Sequence, residues 1–231
     1  QAALRAFLVD EQAMSAEVRA HVCGRPLRAT LPRRLVLPGE LERVCAELGV
    51  SVNSVQLEII GTVLRRPFSL VQGPPGCGKT DIVAVLAAIL TRCGRGQVLC
   101  CASSNVAVDN FTERIAELGV DVLRLVARDR PMGGNVPHSC TLEAHIARLA
   151  TKEATAYREY AQLGKARKLL GAEEAHFNRL RTKVEQQAVR LARVVCCTCS
   201  LAGGAQLRGM RFSDVVIDEA DQEAGVVGSY R

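Results

Sequence analysis

Residues 73–80 read Gly-Pro-Pro-Gly-Cys-Gly-Lys-Thr, a composition suited to holding a polyphosphate. Glycines let consecutive backbone N–H groups turn inward around phosphate oxygens, and a helix starting at the end of the loop adds its positive end. Gly73, Pro74, Pro75, Gly76, Cys77 and Gly78 would form the cradle. Lys79 would reach the β- and γ-phosphates, and the Thr80 hydroxyl would bind Mg2+. A second chemical element lies far along the chain, in Val215-Val216-Ile217-Asp218-Glu219. An apolar strand ending in two carboxylates is the expected partner of a phosphate loop. Asp218 would hold Mg2+, directly or through water, and Glu219 would orient and deprotonate an attacking water. Binding alone does not need that second carboxylate, so Glu219 argues for hydrolysis. A structural Gly-Pro turn and a merely acidic strand end are the competing readings, and the presence of both elements in one chain weighs against each.

These groups need a frame to meet. The chain predicts a helix over 54–64, then a short buried strand over 68–72 that leads into the loop. An apolar helix follows at 80–91, a second strand at 97–102, a helix at 105–118 and a third strand at 121–126. Residues 128–141, with Pro131, Gly133, Gly134 and Pro137, read as a loop. Residues 142–193 read as long helices, an antiparallel pair turning near Gly171. Strands at 194–198 and 212–217 complete the pattern. Strands alternating with helices at this spacing imply an α/β fold with a parallel sheet flanked by helices, and 142–193 is an excursion from it. Residues 1–20 read as a helix end or linker, and 21–50, punctuated by Pro26, Pro32, Pro38 and Gly39, as a connecting region.

Composition narrows the class. The chain has 231 residues, enough for one sizeable core. With no Trp and 3% aromatics, a base-stacking platform is not expected. No apolar run is long enough to cross a membrane, and the N-terminus lacks the order of a signal peptide. Cys100, Cys101, Cys196 and Cys197, among ten cysteines, lie in apolar strand-like runs, where thiols pack as small hydrophobes. Cys196 and Cys199 form a CxxC with no second pair at zinc spacing, and the four histidines are scattered. Free thiols at this density point to a reducing compartment. Residues 151–193 hold ten Lys/Arg against five Glu, so +5 of the net +6 sits there. Such a segment suits a polyanion, although a solvated helical face explains the charge equally simply.

Four further stretches make a resemblance specific. Gln56 stands in Asn-Ser-Val-Gln shortly before the first strand, and 98–114 read VLCCASSNVAVDNFTER. Residues 194–204 read VVCCTCSLAGG, and 212–223 read FSDVVIDEADQE. Together with the phosphate loop, and in this order, they resemble the superfamily 1 helicases of the up-frameshift type, the regulators of nonsense transcripts. The resemblance runs to about residue 223 and implies the first of two RecA-like motor domains, over 51–231, with a helical stalk insertion at about 142–193. Residues 1–50 resemble the end of that family's β-barrel insertion with its stalk and linker.

By that resemblance Gln56 reads the adenine edge, since a carboxamide donates and accepts at once. Ser103, Ser104 and Asn105 touch the nucleic-acid backbone, as does Thr198. An N-cap role for Ser104 or Asn105 is compatible with this. The implied cofactors are ATP and Mg2+, and the implied partners are single-stranded RNA, or DNA, and nonsense-mediated decay factors. A monomeric protein of the cytoplasm, and also of the nucleus, with no membrane association is expected. The implied activity is that of an ATP-dependent RNA helicase. A DNA-directed or dual-specificity helicase and a non-catalytic nucleotide-binding fragment are the alternatives.

The chain departs from the family at Cys77, where Thr is usual, and at Asp221, which turns the acidic motif into Asp-Glu-Ala-Asp-Gln. That spelling suggests a DEAD-box protein, but the phosphate loop and Ser-Ser-Asn-Val-Ala-Val-Asp-Asn contradict it. Only 12 residues follow Glu219, and there is no initiator Met, so a fragment bearing one motor domain is expected. Without a partner domain's arginines, weak ATP binding, very slow hydrolysis and no unwinding are the expectation.

Overall fold

The computed structural model describes residues 38–220, apart from 67, 94–95, 128–132 and 134. The barrel and linker reading of residues 1–37, and the Asp221–Gln222 departure, lie outside the described residues.

The sheet is built from strands β1 (Val98–Ala102), β2 (Val122–Arg124), β3 (Val194–Thr198) and β4 (Asp214–Ile217). They run parallel in the order β2-β3-β1-β4. Period-2 alternation divides the side chains between its faces. Val98 and Cys100 of β1 and Val194 and Cys196 of β3 enter one apolar cluster. Leu99 and Cys101 enter the opposite cluster with Val195 and Cys197. A parallel sheet covered on both faces requires such unbroken apolar runs, which is why VLCCA and VVCCT carry no polar alternation.

Helices α1 (Pro38–Glu47), α2 (Ser54–Arg65), α3 (Lys79–Arg92) and α4 (Asn105–Glu117) bury apolar faces in the first cluster. On α4 these are Val108, Phe111 and Ile115, at helical spacing. Helix α3 is buried at every position from Ile82 to Thr91, so it is apolar all round. The excursion contains α5 (Leu142–Ala147), α6 (Lys152–Ala166) and α7 (Ala172–Leu191). Helix α8 (Cys199–Ala202) follows β3. The antiparallel pair α6–α7 turns at Gly171, whose φ is 53°, and is held by stacked Tyr157 and Phe177 with centroids 5.3 Å apart. Among the described residues no helix is long and apolar enough to cross a membrane.

The structure corrects two expectations and refines a third. Residues 68–72 do not form a buried strand. Leu70 is 82% and Val71 41% exposed, and neither pairs. A strand needs an edge to satisfy its backbone groups, and this segment joins no ladder. Among the described residues no strand lies on the outer side of β4, where Ile217 is 39% exposed. Residues 38–47, read as connector, are helical, because Pro38 suits a first helical position and Leu41 and Cys45 share one buried face. The span 142–193 holds the expected pair turning at Gly171 and, before it, the separate short helix α5, since Thr141 and Thr151 each cap a new start.

Candidate nucleotide and nucleic-acid site

The parallel sheet carries its polar residues just past the carboxyl ends of β1, β3 and β4, where open α/β sheets bind ligands. The phosphate loop rises beside them. Gly76 and Gly78 take φ of 78° and 82°, left-handed values that glycine reaches without strain. A Cβ on Gly78 would stand 2.9 Å from Gln56 Nε2, the movable end of a side chain, so it is the left-handed backbone that reserves the position for glycine. Helix α3 begins directly after Gly78 with no side-chain cap. Its first-turn N–H groups therefore face the loop, and the helix's positive end with them.

Lys79 folds back over this loop, donating from Nζ to the carbonyls of Gly73 at 2.8 Å and Pro74 at 2.9 Å. The ammonium is thus already at the mouth of the cradle, held by two weak neutral acceptors that a charged phosphate oxygen would outcompete. Thr80 Oγ1 donates to Asp218 Oδ2 at 3.3 Å, joining residues 138 apart in sequence. Asp218 is buried, its N–H donates to the Cys101 carbonyl at 2.8 Å, and so the β1–β4 ladder extends one residue further. A hydroxyl and a buried carboxylate next to a phosphate cradle are hard oxygen donors of the kind Mg2+ takes. The residues present therefore fit a nucleoside triphosphate with its metal.

Glu219 follows in a left-handed conformation, φ 53°, which costs a non-glycine residue about 1–2 kcal/mol. Its N–H donates to Asp218 Oδ1 at 3.0 Å, and Ser103 Oγ donates to its Oε2 at 3.0 Å. The turn thereby aims the carboxylate across the sheet end toward the β1–α4 loop.

Gln56 lies against the loop. It is the third residue of α2 and completes a capping box with Asn53: Asn53 N–H donates to Gln56 Oε1 at 3.0 Å, and Gln56 N–H to Asn53 Oδ1 at 2.9 Å. Its Nε2 donates to the Cys77 carbonyl at 3.4 Å. The carboxamide ties α2 to the phosphate loop and borders a cleft of about 350 Å3 with Val50, Val52 and Asp81.

The strand-end residues serve as caps. Ser104 accepts from the Ala107 N–H at 3.1 Å and starts α4, and Thr198 accepts from the Leu201 N–H at 3.4 Å and starts α8. Asn105 Oδ1 accepts from an Arg124 Nη2–H at 3.0 Å. Arg124 is the residue that sequence reasoning missed. Fully buried at the end of β2, it also donates from Nε to Asp109 Oδ1 at 2.6 Å and from Nη1 to the Leu125 carbonyl at 2.8 Å. The signal was there: an arginine inside an apolar strand must find acceptors, and Asn105 and Asp109 lie one turn apart on the preceding helix.

The thiols form a dry array. Cys100 faces Cys196 and Cys101 faces Cys197 in register, with the latter sulfurs 3.9 Å apart. Hydrogen bonds from these cross-strand thiols, then burial, push both Cys100 and Cys101 well above the ordinary thiol range. They stay protonated and unreactive, as packing groups.

Fold and site together define a P-loop α/β domain of the RecA-like type. Residues 51–175 and 143–224 match the AAA domain family, and the chain belongs to that family. A regulator of nonsense transcripts 1 homolog of Arabidopsis thaliana is 35% identical over 228 residues, 96% of this chain and 18% of that protein. The Caenorhabditis elegans regulator of nonsense transcripts 1 is 35% identical over 226 residues, 95% of this chain and 20% of that protein. The ATP-dependent helicase NAM7 of Saccharomyces cerevisiae is 31% identical over 227 residues, 96% of this chain and 22% of that protein. The chain thus spans about a fifth of the length of the relatives it matches.

Proposed function

We propose that this chain is the first motor domain of an ATP-dependent RNA helicase of the nonsense-mediated decay type, binding ATP with Mg2+ and single-stranded RNA. The observation that carries the reading is the Thr80–Asp218–Glu219–Ser103 chain of contacts, which links the phosphate loop to the β1–α4 loop. The matched relatives, named as regulators of nonsense transcripts and as ATP-dependent helicases, support the same reading. In it, decay factors are partners, the cytoplasm and nucleus are the place of action, and 142–193 is a stalk on the motor.

In the proposed reaction the backbone of Gly73–Gly78 and the start of α3 hold the phosphates. Lys79 leaves its two loop carbonyls for the β- and γ-phosphate oxygens. Thr80 and Asp218 would hold Mg2+, which would supply neutralising charge beside the phosphoryl group as the bond to the ADP oxygen breaks. Glu219 orients a water in line with the γ-phosphorus and accepts its proton at the carboxylate. Gln56 meets the adenine edge by giving up its contact with Cys77. Ser103, Ser104, Asn105 and Thr198 meet sugar and phosphate, leaving base identity unread.

The test is nucleotide binding and hydrolysis by the chain with and without oligouridylate. Lys79→Ala should abolish ATP binding. Glu219→Gln should retain binding within a fewfold and remove the slow hydrolysis expected of one motor domain, as it should remove that of a protein carrying both. Turnover unchanged by Glu219→Gln would reject the assignment of the base, and a matched oligodeoxyuridylate competing equally would reject the preference for RNA.

A further inference from the structure

We propose that Arg124 is a positioning residue for strand binding: by holding the Asn105 carbonyl oxygen, it leaves the Asn105 amide nitrogen as the donor that meets the nucleic-acid backbone. The inference rests on the proposed function and names the atom that makes the contact and the residue that aims it.

The strand-end residues are engaged in different ways. Ser104 and Thr198 spend their hydroxyl oxygens on helix caps, accepting from the Ala107 and Leu201 N–H groups. Ser103 is held by Glu219 and by a further contact. Asn105, the half-buried first residue of α4, caps nothing. Its Oδ1 accepts from Arg124 Nη2 at 3.0 Å, and its Nδ2 donates to no group among the described residues.

A guanidinium carries donors and no acceptor, so the amide atom that touches it must be the oxygen. That fixes which way the carboxamide lies, a choice that a surface asparagine leaves open. The guanidinium cannot swing, because Asp109 holds Nε at 2.6 Å and the Leu125 carbonyl holds Nη1 at 2.8 Å. Asp109 stands one turn after Asn105 on α4, so β2 and α4 share the clamp. With Oδ1 on Arg124, both Nδ2 hydrogens lie on the far side of the carboxamide. Phosphate and sugar oxygens accept, so they can take these hydrogens whatever the base. A donor already oriented also loses less rotamer freedom when the strand arrives.

The experiment uses the full chain and a fluorescein-labelled oligouridylate, without nucleotide, at about 0.15 M salt, where charges more than about 8 Å apart are screened. Asn105→Ala should weaken binding about tenfold, the worth of one hydrogen bond to a charged group. In an Arg124→Met background the same change should have almost no effect, because the amide is no longer aimed. A brace acting only on the loop would weaken binding through Arg124→Met and leave the effect of Asn105→Ala intact. Asn105→Asp tests the orientation with Arg124 in place. It keeps an oxygen on the guanidinium and removes both amide hydrogens. It should therefore unfold at no lower urea concentration than the unsubstituted chain, yet bind the strand at least as weakly as Asn105→Ala. Asn110→Asp, the same charge change at an exposed position of α4, should weaken binding less. Equal effects of Asn105→Ala in both backgrounds, or an Asn105→Asp chain that binds like the unsubstituted one, would overturn the inference while leaving the proposed function standing. No oligouridylate binding by the unsubstituted chain would overturn both.

Discussion

Arg124 shows how one side chain can organise a site it does not enter. Its guanidinium is buried, and its three nitrogens reach Asp109, Asn105 and the Leu125 carbonyl. Breaking a buried charge pair from one side strands the other charge, which costs about 3–5 kcal/mol. Asp109 is only partly enclosed, with 15% of its side chain exposed, so the lower end applies. Arg124→Met should lower the free energy of urea unfolding by about 3 kcal/mol. Arg124→Lys should not rescue it, because a point ammonium cannot span three acceptors in a plane. A midpoint unchanged by Arg124→Met would show that Asp109 and Asn105 find water at no cost.

At the scale of the element, side-chain caps set most of the helix starts. Helices α2, α4, α5, α6 and α8 begin with Asn53, Ser104, Thr141, Thr151 and Thr198, each accepting a first-turn N–H through its side chain. Helices α3 and α7 begin after Gly78 and Gly171 with none, and of these two starts the one after Gly78 opens directly from the phosphate loop. Thr151 does more than cap: it accepts from the Ala154 N–H at 3.2 Å and donates to Gln187 Oε1 at 2.9 Å, fastening α6 to α7. Thr151→Ala should cost about 1–2 kcal/mol by thermal or urea unfolding. ATP affinity should stay within error, since the hairpin is apart from the phosphate loop. Part of the hairpin's charge is used locally: Arg167 forms a bidentate pair with Glu173 at 2.6 and 2.8 Å, and Arg181 meets Glu185 at 2.9 Å. Arg158 donates to the Ile146 and Leu149 carbonyls at 3.4 and 3.2 Å. These contacts favour reading the basic composition as a partly neutralised helical surface.

For the molecule as a whole, the sign of one buried histidine sets a pH dependence. His145 sits on α5 beneath the sheet, with Nδ1 3.0 Å from the Thr141 carbonyl. Burial is the main influence and lowers its pKa, Arg148 adds to the lowering, and the Thr141 carbonyl and Asp121 oppose it. The folded state therefore holds fewer protons than the unfolded state between the lowered value and the ordinary value of about 6.5. The contribution is fully present above about pH 6.5 and is lost as pH falls toward the folded value. Unfolding free energy measured from pH 8 to 5 should fall below about 6.5, and His145→Gln should flatten that fall. An equal slope in the variant would place the acid sensitivity elsewhere.

Which parts of this were readable beforehand follows from the range of the interactions. The phosphate loop, the paired carboxylates and the apolar strand runs are local patterns of residue type, so residues 73–80, 218–219, 98–102 and 194–198 declared themselves. The cap read at Ser104 or Asn105 did so for the same reason, whereas the cap at Thr198 came only from the structure. The segment 68–72 misled because an apolar run becomes a strand only beside an available edge, which lies elsewhere in the chain. Residues 38–47 misled because prolines and a glycine obscured a two-residue apolar face. Sequence alone determined which chemical groups this protein carries and that its strands alternate with helices in a parallel sheet. Tertiary structure alone decided that Arg124 braces the β1–α4 loop and that Glu219 turns left-handed to meet Ser103. Those contacts join residues 15 to 116 apart in the sequence, which the strand order β2-β3-β1-β4 and the helix packed on it bring within hydrogen-bonding distance.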